Sequence, residues 1–326
     1  MSTLVLTRSD VEALLTPDDC RVAVEDAFRA YGTSEVVPPA VLSMRSINGG
    51  FHIKAGLLRR GQHYFAAKVN GNFGSNAARG LARIQGVVVL SDGDTGAPLA
   101  LLDSISITTL RTAAATALAA QYLAKQDASV ATICGCGLQG RAQLEALVRV
   151  RPIRDVFVFD VDRERAHRFA TDVTEDLRVA AVAVSDLRAA SQASDIVVTC
   201  TPSAQPFLFE GYLSAGAFVA AVGADSEDKQ ELDAALLASA KVITDLTAQC
   251  AVIGDLHHAI EARLSLDHVH AELGEIVANR KRGRRSSEEI VVFDSTGTAL
   301  QDVAASAAVY EQALVTGRGT LVALSA

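Results

Sequence analysis

Glycines at 135, 137 and 140 stand in the run Gly135-Cys136-Gly137-Leu138-Gln139-Gly140, between the apolar stretch "VATIC" and a helical pattern. This spacing suits a turn that brings backbone up to a pyrophosphate. Gly135 allows the tight turn, Gly137 the close approach, and Gly140 the packing of helix against strand. A helix starting near Leu138 would offer unpaired N–H groups and the positive end of its dipole to the phosphates. The next β-type run, "VFVFD", closes on Asp160, and 160 − 140 = 20 is the usual interval to the acid that binds the adenosine ribose hydroxyls. That acid would repel a 2′-phosphate, so the expected cofactor is NAD. Arg163, three residues on, leaves NADP open.

These residues need a strand–turn–helix frame, and the chain supplies one. "VATIC", "VFVFD", "DIVVTCT", "AFVAAVG" and "KVITD" are β-branched runs of buried type, alternating with helical patterns at 139–150, 162–173 and 185–193. Such alternation predicts a doubly wound parallel sheet, with "EIVVFDSTG" as its last strand. The N-terminal third reads differently. Two helix starts, at Ser9 and at Thr16-Pro17-Asp18-Asp19, precede the short β-type runs "GGFHIKAGLL", "HYFAAKVNG", "IQGVVVLSD" and "APLALLD". An α+β unit is expected there. It leads into a long Ala-rich helix over roughly 106–125, and a final helix from Asp302 to Leu314 could return the chain to this unit.

Composition narrows the function classes. The 326 residues suffice for two domains, and a net charge of −8 disfavours a nucleic-acid binder. The basic run Arg280-Lys281-Arg282-Gly283-Arg284-Arg285 is expected to be a solvated loop. No signal-peptide pattern and no membrane-length apolar window is evident, and the five cysteines lack CxxC spacing. These features lead to the expectation of a cytoplasmic protein with reduced thiols. His257-His258 and His268-x-His270 have no acidic or Cys partners at zinc spacing, so helix-surface positions and no metal are expected.

Taken together, "KVNGN" (68–72), "TGAPLALLDS" (95–104), "ITTLRTAAATALAAQYLA" (107–124), "GCGLQG", "VGAD" (222–225), "ELGEIV" (272–277) and "FDSTGTALQD" (293–302) resemble the ornithine cyclodeaminase/mu-crystallin family over nearly the whole chain. The resemblance implies an α+β substrate-binding and dimerisation domain over 1–120, completed by 304–326. It implies an NAD(P)-binding Rossmann domain over 121–303, a homodimer, and a small amino- or imino-acid substrate held between the domains. By the same resemblance Arg45, Lys68 and Arg111 bind the substrate carboxylate, a task for which fixed cationic donors are suited. Asp225, expected at the C-terminal edge of a buried strand, becomes the general acid/base at the substrate nitrogen, and Lys68 the second catalytic candidate. Lys229, four residues on, could pair with Asp225. Thr112, Gln139, Thr201 and Ser295 are carried over as further cofactor contacts, beside Gly135, Gly137, Leu138, Gly140 and Asp160.

Two departures from the family pattern bear on the substrate. Cyclodeaminases of the family carry a glutamate in the strand before the "KVNG"-like motif to handle a distal amine. Here that stretch holds His52, Lys54 and Ala55 and no acid. A cation beside a second substrate ammonium is repulsive, by about 1 kcal/mol or more when partly buried. In addition, Gly80-Leu81-Ala82-Arg83 replaces the Gly-Leu-Pro-Thr of many members. If Lys54 and Arg83 face the pocket, the site has charge for a second carboxylate. The preferred reading is an NAD(P)H-dependent imine reductase or amino-acid dehydrogenase making a small L-amino acid, with aspartate from iminosuccinate as a dicarboxylic example. The alternatives are an ornithine/lysine-type cyclodeaminase recycling its NAD, and a non-catalytic ligand-binding protein of mu-crystallin type.

Overall fold

The structure is a computed structural model that describes residues 2–324. It divides into two compact units, one of residues 1–114 with 298–326, the other of residues 115–297. The first division falls inside the long helix Ser104–Leu123, and the second just ahead of the helix Ala299–Thr316.

The first unit is built on a seven-stranded mixed sheet. Its strand order is Thr320–Ala323, Ser2–Leu6, Pro98–Asp103, Ile84–Asp92, Gln62–Asn72, Gly49–Arg60, Ala40–Ser46. All neighbours run antiparallel except Ser2–Leu6 and Pro98–Asp103, which are parallel. The four β-type runs of the sequence are its central strands. The three other strands, the two at the edges and the five-residue Ser2–Leu6 beside one of them, went unseen because they owe their conformation to pairing with neighbours and carry little pattern of their own.

Period-two alternation decides which side chains this sheet covers. Lys54, Gly56 and Leu58 are buried along one strand, and their cross-strand partners Lys68, Ala66 and Tyr64 along the next. The Ala-rich helix Ala299–Thr316 packs on this face, close enough that a Cβ at Gly56 would sit 3.3 Å from the Ala299 Cβ. Thr298 caps that helix by accepting from the Leu300 amide. Lys54 and Lys68 thus continue a row that is otherwise core. Along the same strands, alternate residues such as Phe51 and Phe65 are exposed.

In the second unit an all-parallel sheet of eight strands has the order Val269–Glu272, Lys241–Thr244, Val291–Asp294, Phe218–Ala221, Ile196–Thr199, Val130–Cys134, Asp155–Phe159, Ala180–Ala183. Four of its six inner strands, from Ile196–Thr199 to Lys241–Thr244, are almost wholly buried, as expected when both faces are covered. This is the doubly wound Rossmann arrangement read from the sequence, with "EIVVFD" in the interior of the sheet and not last in space.

The basic run departs from expectation. Arg284 is partly buried, and its guanidinium donates to the carbonyls of Leu123 (2.6 Å), Glu289 (2.5 Å) and Ala217 (3.2 Å). Five polar N–H groups on one fork can satisfy several loop carbonyls at once, so this residue ties loops together while Arg280, Lys281 and Arg282 stay exposed.

Candidate active site

Lys68, Arg111 and Asp302 form a buried cluster in the first unit. The Lys68 Nζ donates to the Asp302 Oδ1 at 2.8 Å and the Arg111 Nε donates to the same oxygen at 3.0 Å. The Arg111 Nη1 also donates to the Gln301 Oε1 at 2.9 Å. All three charged side chains are at most 6% exposed. Lys54 lies directly across the ladder from Lys68, on the same face, so three cations surround one carboxylate.

The electrostatics follow from that imbalance. Burial and the Arg111 charge push the Lys68 ammonium down to about 7, with Asp302 opposing and Lys54 adding to the fall. Burial would raise the Asp302 carboxyl, but Lys68 and Arg111 hold it below its ordinary value. Its second oxygen, Oδ2, is buried without a hydrogen-bond partner. A cluster with more cationic than anionic groups in low dielectric has a strong field for another carboxylate.

Asp302 is the member that residue-by-residue reading missed. The sequence placed it only at the start of the last helix, at the end of "FDSTGTALQD". The signal was indirect, since buried cations at 54, 68 and 111 require a buried anion. Arg45 lies on the exposed edge strand Ala40–Ser46, opposite Gly50. Arg83 does not join the cluster: it is exposed and its Nε donates to the Asn72 Oδ1 at 3.1 Å. Of the two departures noted in the sequence, only Lys54 stands with Lys68.

In the second unit the glycine run forms the turn after the strand Val130–Cys134. Gly135 has φ +106°, a conformation that L side chains rarely adopt. A Cβ at Gly140 would lie 2.0 Å from the Gly135 carbonyl oxygen, so the helix Leu138–Val150 can meet the strand only through glycine. Gly137 caps that helix with no side chain on its amides, and a Cβ there would meet nothing within 4 Å. The first-turn N–H groups therefore have no side-chain acceptor and a clear approach. Asp160 is fixed by accepting from the Cys136 amide (2.9 Å) on Oδ2 and from the Asp162 amide (2.9 Å) on Oδ1. Arg165, not Arg163, is the cation nearest it, at 3.7 Å. Glycine cradle, uncapped helix start and braced acid together fit a dinucleotide.

Asp225 follows the buried strand Phe218–Ala221, beyond its C-terminal end. Its carboxylate is half exposed and accepts from the Lys229 Nζ at 2.5 Å, the pairing anticipated from the four-residue spacing. The Lys229 carbonyl in turn is bonded by the His258 Nε2 at 2.9 Å.

The family model for the ornithine cyclodeaminase/mu-crystallin family matches residues 1–317. The chain is a member of the ornithine cyclodeaminase/mu-crystallin family. It is 38% identical over 317 residues to an alanine dehydrogenase of Archaeoglobus fulgidus, with 96% of each chain covered. An archaeal alanine dehydrogenase dimer with bound NAD superposes with a TM-score of 0.95 at 37% identity, covering 99% of this chain and 100% of that one. The iminosuccinate reductase of Paracoccus denitrificans in complex with NAD+ gives 0.91 at 31% identity, covering 99% and 100%.

The remaining carried-over contacts of this family member are engaged within the protein. The Thr112 hydroxyl donates to the Thr108 carbonyl of its own helix at 2.7 Å. The Gln139 Oε1 accepts from Gln143 at 3.2 Å, and Leu138 is exposed. The Ser295 hydroxyl donates to the Asp245 Oδ2 at 3.0 Å. The Thr201 amide donates to the Glu231 Oε1 at 2.6 Å while its hydroxyl accepts from the Ser203 amide.

The cysteines are unpaired and four of the five are buried. Burial pushes the Cys136 thiol up to about 12, against nucleophilic use. The histidines differ in part from their expected helix-surface setting. His268 lies in a single 3-10 turn with its Nε2 at two carbonyls, and His270 lies on an edge strand. His257 and His258 are on a helix, where Glu261 comes within 3.6 Å of a nitrogen of each, an acidic partner that sequence reading did not supply. Among the described residues no helix is long and apolar enough to cross a membrane.

Proposed function

We propose that this family member is an NAD(P)H-dependent reductase of small α-imino acids, or equivalently of a keto acid plus an amine, forming an L-α-amino acid, with dicarboxylic substrates within its range. The observation that carries the reading is that two buried cations, Lys68 and Arg111, share one oxygen of the Asp302 carboxylate. A substrate carboxylate would complete the charge balance of Lys68 and Arg111, whereas the second ammonium of ornithine or lysine would be repelled by Lys54. The names of the relatives, an alanine dehydrogenase and an iminosuccinate reductase, favour the same chemistry.

When bound, a nicotinamide cofactor would supply or accept the hydride. Gly135, Gly137, Gly140, Leu138 and Gln139 would receive the pyrophosphate, and Asp160 the ribose hydroxyls, which favours NADH over NADPH. Arg45, Lys68 and Arg111 orient the substrate through its carboxylate. Asp225 gives a proton to the imine nitrogen and stabilises the iminium cation with its negative charge, and in the reverse direction it takes that proton back. Lys229 keeps the carboxylate aimed. We assign the first unit a role in homodimer formation, in keeping with the dimer of the archaeal relative.

Replacing Asp225 with Asn tests the assignment. It removes the proton acceptor and leaves the glycine turn intact, so kcat should fall by about 100-fold or more with NADH affinity near that of the parent. An unchanged kcat would remove Asp225 from the mechanism.

A further inference from the structure

Glu231 is fully buried, and its two carboxylate oxygens serve two different loops at the C-terminal edge of the parallel sheet. Oε1 accepts from the Thr201 amide at 2.6 Å, after the strand Ile196–Thr199. Oε2 accepts from the Gly223 amide at 2.9 Å, after the strand Phe218–Ala221. Gly223 is two residues before Asp225, and Glu231 is two residues after Lys229. The bond to Gly223 therefore closes the segment 223–231 on itself, with the Asp225–Lys229 pair inside the closed loop.

Both ends of this brace are tight. A Cβ at Gly223 would lie 2.5 Å from the Glu231 Cδ, 2.5 Å from its Oε2 and 2.5 Å from the Thr201 carbonyl, so residue 223 must be glycine for the carboxylate to reach. From below, the Asp255 Oδ1 accepts from the amides of Glu231 (2.8 Å) and Leu232 (2.9 Å), and the Asp294 Oδ2 accepts from the Leu256 amide (2.9 Å). The Gln230 amide adds a bond to the Ser203 carbonyl at 2.9 Å. Burying a carboxylate is costly, and burial with the nearby Asp255 charge pushes Glu231 up to about 7. A side chain kept there despite that cost has to do what cheaper ones cannot. Only a carboxylate presents two acceptor oxygens to two amides, because a glutamine in its place turns an NH2 towards one of them.

We propose that Glu231 is a positioning residue that fixes Asp225 for proton exchange by closing the loop 223–231 and tying it to Thr201. This rests on the reading of Asp225 as the acid/base. Glu231 is fully buried with its carboxylate on the Thr201 and Gly223 amides, so its removal should act on the chemical step and leave ground-state binding nearly untouched.

The test uses the full-length protein with Glu231→Gln, and Glu231→Asp as a shorter carboxylate that reaches one loop only. With NADH and pyruvate plus ammonia, or whichever imino acid supports turnover, kcat of Glu231→Gln should fall about tenfold or more while KM and the NADH dissociation constant stay within about threefold. Glu231→Asp should fall between Glu231→Gln and the parent. Amide hydrogen exchange should rise in peptides covering 201–203 and 223–229 and remain unchanged in the strands of the sheet. A parental kcat in Glu231→Gln, a loss shared equally between KM and kcat, or unchanged exchange at 223–229 would overturn the proposal. If Asp225→Asn retains turnover while exchange at 223–229 rises in Glu231→Gln, the brace stands as geometry but its catalytic role falls with the reading of Asp225.

Discussion

At the scale of single residues, Lys68 and Asp302 decide the properties of the first unit. With Lys68 pushed down to about 7, its ammonium is charged below that pH and neutral above it. Affinity for a carboxylate should therefore weaken as pH rises through 7. The dissociation constant of pyruvate, ionised throughout, should increase by roughly fivefold between pH 6 and pH 9, given a contribution of order 1 kcal/mol for one partly screened charge. A flat profile would show that Lys68 does not meet the anion. Asp302 is the only carboxylate bonded to Lys68 and Arg111 among the described contacts. Asp302→Asn should lower the unfolding free energy by about 3 kcal/mol at pH 6, since breaking a buried pair leaves charge uncompensated. The loss should shrink above pH 7, where Lys68 can shed its proton. Denaturant melts at the two pH values would check both parts. Lys54, Lys68 and Arg111 were legible in the sequence as residues able to bind anions. Asp302 was not, because what identifies it is the sharing of one oxygen by two cations that lie 191 and more positions away.

Among the elements, the glycine turn and the loop after Phe218–Ala221 do most to set geometry. Gly140→Ala would press a methyl group into the Gly135 carbonyl, at 2.0 Å before relaxation. Such overpacking costs about 1–3 kcal/mol and would push the helix Leu138–Val150 off the strand, so NADH affinity should fall by about tenfold or more, measurable by nicotinamide fluorescence. An alanine variant that binds NADH normally would show that the contact relaxes without moving the turn. Elements with strong periodicity were legible in advance: the buried runs of the parallel sheet, the four central strands of the mixed sheet and the long helices. Ser2–Leu6, Ala40–Ser46 and Thr320–Ala323 were not, since two of them are edge strands and the third is a five-residue strand beside one, all defined by their partners. Arg284 was misread for a related reason, because a basic run signals solvent only where no loop carbonyls converge on it. The Glu231 brace left no motif, as its acceptors face backbone amides that any residue supplies.

For the molecule as a whole, family membership fixes the fold and the class of chemistry, and the departures at Lys54 and Arg83 bear on the substrate. The structure sorts these two: Lys54 is buried opposite Lys68, while Arg83 is exposed beside Asn72. The case for net reduction over cyclisation therefore rests on Lys54 and the missing acid in its strand. The most direct test follows NADH and products together in purified protein, given pyruvate plus ammonia or iminosuccinate in one assay and ornithine with NAD in another. The proposed function requires one NADH oxidised for each L-amino acid formed, and no proline from ornithine. Proline and ammonia released from ornithine with NADH unchanged would contradict it.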